Sequence, residues 1–190
     1  MQRRTGKKDS SYFAKEAVYV QCKDRQRKGI DMTHKENAEV VKKYFDENDW
    51  HYHMAECEEV TFFEGGVEPG NKKCKFKSFR YRLIVDKEYV QVFYVLPISA
   101  MEKLAETAEY INRINYTLKR GRFDMDYSDG EVRFHHGMSM IGVLANPDVL
   151  LSELMVLGGT VMSRYAEGFA KIIYGSLDPK MAYEEMEQED

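Results

Sequence analysis

The chain is poor in cysteine and proline, has a single tryptophan, and contains no long apolar run. Each shortage removes a class of protein. Its three cysteines, Cys22, Cys57 and Cys74, are odd in number and form no CxxC pair. That argues against a disulfide framework and for a reducing compartment. No stretch approaches the roughly 18 apolar residues that a membrane span needs. The basic N-terminus is not followed by the apolar core of a signal peptide, so the expected location is the cytoplasm. GxGxxG and P-loop motifs are missing, and Gly65-Gly66 reads as a strand turn, not a phosphate cradle.

Aromatics, by contrast, are plentiful: 13 Tyr and 10 Phe among 190 residues. A disordered chain lacks them, and this length buries a sizeable core without staples. The formal net charge of −4 argues against nucleic-acid binding by bulk electrostatics. Charge is uneven, however. Residues 1–28 hold nine Lys or Arg against three acids, and from Asp178 onward there are six acids against Lys180. The expected organisation is a basic arm over 1–32, a domain over 33–175 and an acidic C-terminal tail over 176–190.

Periodicity predicts an α+β domain in the order α-β-β-β-α-β-β-α, with helices packed on a largely antiparallel sheet. Thr33-His34-Lys35-Glu36 is a capping box that opens the first helix. Three strands are expected over 51–63, 73–85 and 89–98. The middle one slips register near Ser78, which a β-bulge would reconcile. Ser99-Ala100-Met101-Glu102 reads as a second capping box. A hairpin over 122–138 turns at Asp129-Gly130. Asn146-Pro147 opens a long helix, and Gly158-Gly159 within it suggests a kink or close backbone approach of a neighbour, from the same chain or from a second copy.

His51, His53 and Cys57 are potential zinc ligands, but a fourth ligand at helpful spacing is missing. Asp124, Asp126 and Asp129 fall short of a calcium loop. Cys74, among Lys72, Lys73, Lys75 and Lys77, has surroundings that would lower a thiol pKa, yet nothing resembles a nucleophile elbow. The basic 73–82 strand, interleaved with Phe76, Phe79 and Tyr81, is the feature that would suit nucleic acid. More telling is the 89–96 strand. Val90, Val92, Tyr94 and Leu96 face one way, while Tyr89, Phe93 and Val95 face the other. Helices can cover one face only. The other needs a cover, which the basic arm, a second protomer or a client segment could supply, and Tyr89, Phe93 and Val95 are the candidate protein-binding surface.

Ile111-Asn112-Arg113-Ile114-Asn115-Tyr116, Gly121 to Asp126 and Asp129 to Phe134 together resemble the YbjN domain family, labelled bacterial sensory transduction regulators. The resemblance covers roughly residues 34–175, with Tyr165 and Phe169 as the aromatics of the last helix. It implies a fold similar to type III secretion chaperones and a dimeric habit. The family has no agreed catalytic residues. The expectation is a non-enzymatic, cytoplasmic, chaperone-like or regulatory protein-binding module, homodimeric, with no cofactor and no metal. The alternative is a nucleic-acid-associated regulator that uses the basic arm and the 73–82 strand.

Overall fold

The computed structural model describes residues 32–188. The basic arm over 1–31 and Cys22 lie outside the described residues. Eleven elements follow in order: α1 (His34–Glu47), β1 (His53–Glu56), β2 (Thr61–Val67), β3 (Phe79–Val85), β4 (Tyr89–Ser99), α2 (Leu104–Thr117), β5 (Arg122–Met125), β6 (Glu131–Ser139), α3 (Met140–Ala145), α4 (Pro147–Ile173) and α5 (Pro179–Glu187). The strands form one antiparallel sheet of six, ordered β1-β2-β3-β4-β6-β5. The α+β class and the antiparallel sheet are as expected.

Local chemistry explains the elements that were read correctly. The Thr33 hydroxyl accepts from the Glu36 amide, and Glu36 reaches back to the Thr33 amide at 2.8 Å. Gly130 adopts φ +71°, as the expected hairpin turn requires. The turn is longer than an Asp-Gly pair, because Asp126 and Glu131 close it through the Asp126 N–H to Glu131 carbonyl bond.

Other boundaries differ. The 51–63 region splits at Cys57–Val60 into β1 and β2, and Gly65-Gly66 lies inside β2. The first group therefore has four strands, not three. Residues 73–78 are not strand. They fold onto α4, where the Gly70 N–H donates to the Ser163 hydroxyl and the Lys75 N–H to Glu167. Cys74 and Phe76 pack against the core from that loop, so the register slip at Ser78 is a strand start and not a bulge. The irregularity lies instead in β4, between Val95 and Ser99. Ser99 caps no helix; its hydroxyl donates to the Asp129 carbonyl, and α2 starts at Leu104.

The acidic C-terminal stretch also departs from the expected tail. Asp178 caps α5 by accepting from Lys180 N and Met181 N. Pro179, Ala182 and Met186 are buried against α4 and α2. Glu187 accepts from the Tyr165 hydroxyl at 2.6 Å, with Arg164 at 3.4 Å. Apolar spacing at one face outweighs the excess of acids along the rest.

All the large helices pack on one face of the sheet. That face presents Phe63, Tyr81, Leu83, Val92, Tyr94, Phe123 and Phe134, all buried. α4 lies across β4 and β6 with two notches at glycines. At Gly158 a Cβ would collide with the Tyr94 ring, and at Gly168 with the Tyr110 ring. Tyr94 donates to the Met155 carbonyl at 2.6 Å, and Tyr110 to the Tyr165 carbonyl at 3.2 Å. Burial pushes both hydroxyls far above their ordinary value, so they remain donors. The close approach expected at Gly158-Gly159 is thus intramolecular, and it no longer argues for a second copy.

Opposite outcomes are expected for adjacent glycines. Gly158→Ala should destabilise by about 1–3 kcal/mol or more, because a buried, hydrogen-bonded ring cannot move aside. Gly159→Ala should stabilise by about 0.5–1 kcal/mol, since its Cβ meets nothing closer than Val67 Cγ2 at 3.8 Å. Thermal melts of the two variants, read against wild type, check the signs. Gly130→Val should also lower the melting temperature, through its positive φ and a clash with Ser99 Oγ at 2.7 Å.

Candidate functional site: the open face of the sheet

Side chains alternate across a sheet, so the buried face fixes what the other displays. Two rows cross it. Glu64, Arg82, Phe93, His135 and Arg122 stand opposite one another in the first. Gly66, Arg80, Val95, Arg133 and Asp124 form the second. All are half-buried or exposed, and so are Phe62 and Ile84 beside them. No described helix lies over these rows.

The planar groups are stacked upright. The Phe93 and His135 rings lie 4.4 Å apart at 16°, close to the spacing of neighbouring strands. The Arg133 guanidinium carbon sits 4.9 Å from the Phe93 centroid, and that of Arg82 5.6 Å from the Phe62 centroid. Arg82 also pairs with Glu64. His135 Nε2 meets Gln91 Oε1 at 3.0 Å, and Nδ1 lies 3.5 Å from Asp124. Burial raises the Asp124 carboxyl, but His135 and Arg122 outweigh it and hold the carboxyl below its ordinary value. The face is thus preorganised: its aromatic rings are fixed by cations and not left loose.

Of the expected surface residues, Phe93 and Val95 stand side by side in phase on this face. Tyr89 is at the far end of β4, 49% exposed and opposite Ser139. Phe62, Ile84, Arg82, Arg133 and His135 complete the surface. Their signal in the sequence was the outward phase of β2, β3 and β6, legible once the strands are delimited.

The other candidates separate in space or lose their chemistry. His53 lies on β1, His51 precedes it, and Cys57 is exposed in the following turn. Among the described residues, no three His, Cys, Asp or Glu side chains come together as metal ligands. Burial pushes the Cys74 thiol up, against the expectation that its lysines would lower it. Lys73, Lys75 and Lys77 belong to a loop, so the basic strand expected over 73–82 begins only at Phe79. The shallow cleft at the β5–β6 turn is lined by Asp124, Asp126, Tyr127, Glu131 and Arg133, and that beside α1 by Tyr44, Leu144 and Pro147.

One edge of the sheet is closed by a side chain. The Asn115 carboxamide donates to the Phe123 carbonyl at 3.0 Å and accepts from the Phe123 N–H at 2.8 Å. It imitates the next strand and blocks pairing at β5.

Comparison with family models, with curated proteins and with solved structures gave no match to the chain. No helix among the described residues is long and apolar enough to cross a membrane.

The open face should be separable from the core by mutation. Phe93→Ala is expected to cost about 0.5–1.5 kcal/mol, the order of a lost aromatic contact. Phe134→Ala, on the adjacent strand but fully buried, should cost about 3–5 kcal/mol. Urea denaturation of both variants checks the contrast.

Proposed function

We propose that this chain is a non-enzymatic protein-binding module of the cytoplasm, chaperone-like or regulatory, whose docking surface is the open face of the sheet. One observation carries the reading. The described helices all lie on one side of the sheet, and the other displays Phe93 and Val95 among arginines. Aromatic residues and arginine are the types enriched where proteins meet, and fixed side chains lose little entropy on binding. The resemblance to the YbjN domain and its chaperone-like fold supports the same reading by analogy.

The homodimer belongs to this proposal as well. It rests on the open face alone, since Gly158 is occupied from within. In a two-fold pairing Phe93 of each copy would lie near the axis.

The experiment places a benzophenone photo-crosslinker at Phe93 in the full chain, expressed in its native host, with Val156 on the helical layer as control. Val156, at 56% exposed, is more accessible than the half-buried Phe93, so access alone would favour adducts at the control. Protein adducts at position 93 and few at 156 are expected. Equal adducts at both positions, or none at 93, would overturn the reading. For the dimer, sedimentation should give a mass that rises with concentration for wild type and stays monomeric for Phe93→Asp.

A further inference from the structure

Resting on the reading of the open face as a docking surface, we infer that it seats an acidic protein segment, one carboxylate of which lies over Gly66 against the guanidinium of Arg80. Gly66 stands opposite Arg80, and Arg80 opposite Val95, all in outward phase. A Cβ at Gly66 would meet only the Phe79 carbonyl, at 3.8 Å, so the space above this glycine is open. β1 pairs with 61–64 only, so among the described residues no strand pairs with Gly66 on its far side, where His51 lies beside Gly65. The result is a gap at the sheet margin with a cation as one wall and Val95 beyond it.

Arg80 is exposed and forms no ion pair with a described residue. Its neighbour Arg82 shows what the face does with a carboxylate: it holds Glu64 with the same fork. The loop from Val67 to Phe79, with Lys72, Lys73, Lys75 and Lys77, folds onto α4 on the covered side, so Arg80 is the cation of this margin on the open face. Glu68 is the acid of that loop. On the open face Arg80, Arg82, Arg122 and Arg133 outnumber Glu64, Asp124 and Glu131, the last within electrostatic reach of Arg80, and the excess of cations favours an anionic occupant.

The occupant is protein and not nucleic acid for two reasons. A single strand stacks its bases on free aromatic faces, and those of Phe93 are taken by His135 and Arg133. Further along the same row Asp124, and beside it Glu131, would repel a continuous phosphate chain. A segment with spaced carboxylates avoids both. Guanidinium matches carboxylate geometry with two parallel bonds, which lysine cannot supply.

The test uses the full chain and fluorescence anisotropy with three labelled 12-residue peptides of equal apolar content, carrying Glu, Gln or Lys at the same alternate positions, plus a 12-nucleotide poly-U RNA. The Glu peptide is expected to bind at least tenfold tighter than the Gln peptide. Arg80→Glu should abolish that preference and Arg80→Lys retain part of it. Gly66→Ile should weaken the Glu peptide without lowering the melting temperature. Equal affinity for Glu and Gln peptides would overturn the inference while leaving a protein-docking face intact. Tighter binding of the RNA than of the Glu peptide would overturn it in favour of nucleic acid. If no peptide binds yet the crosslinker at Phe93 still captures protein, the acidic segment alone is refuted. If neither occurs, the docking face falls with it.

Discussion

The lie of Tyr94 across α4 is the contact on which the arrangement depends. The ring occupies the space a side chain would take at Gly158, and its hydroxyl reaches the Met155 carbonyl one turn earlier. A helix can approach a sheet this closely only where it lacks a Cβ. Tyr110 and Gly168 repeat the device ten residues on. At 3.6 residues per turn, ten residues leave the two notches about 80° apart around the helix. One therefore locks α4 to the sheet and the other to α2. Two buried hydroxyls that must find acceptors make the placement specific as well as stable.

Fixing α4 on one side decides the fate of the other. The α1 helix joins the same layer: buried Asn37 donates to the carbonyls of Asp86 and Lys87 and holds the β3–β4 turn against it. Every described helix of any length is thereby committed to one face. The opposite face keeps its apolar side chains from bare exposure by stacking them between charged and polar ones. Phe93 lies between His135 and Arg133, and Phe62 lies under Arg82. Side chains already held in such stacks would have little rotamer freedom left to lose if the face docks a partner as proposed.

The margins are managed by different means. At β5 the Asn115 amide substitutes for a missing strand, which gives the Asn-bearing end of α2 a structural reason. Below α4, the acidic C-terminal stretch becomes a helix because Pro179, Ala182 and Met186 fall on one side of it. Its acids then face basic and hydroxyl partners on α4, where Glu185 meets Lys171 and Glu187 meets Tyr165. At the Gly66 end of β2 neither device operates, and the sheet stays open there.

What the sequence alone determined was local. The capping box at Thr33, the positive-φ glycine at 130, the alternation from Tyr89 to Leu96 and the amphipathic stripe of α4 are each set by residues within a few positions of one another. From that alternation Phe93 and Val95 could be placed outward before any partner strand was known. The rest needed the tertiary structure, because the deciding contacts join distant parts of the chain. Lys73 to Lys77 alternate like a strand, yet bonds from the loop to Ser163 and Glu167 hold it on α4. Gly158 signals a close approach without saying whose, and Tyr94 fills the notch from 64 positions away in the same chain. The rows of the open face were equally hidden. They bring Arg82 of β3, Phe93 of β4 and His135 of β6 into line, and strand register is set by pairing between segments, which no single segment encodes.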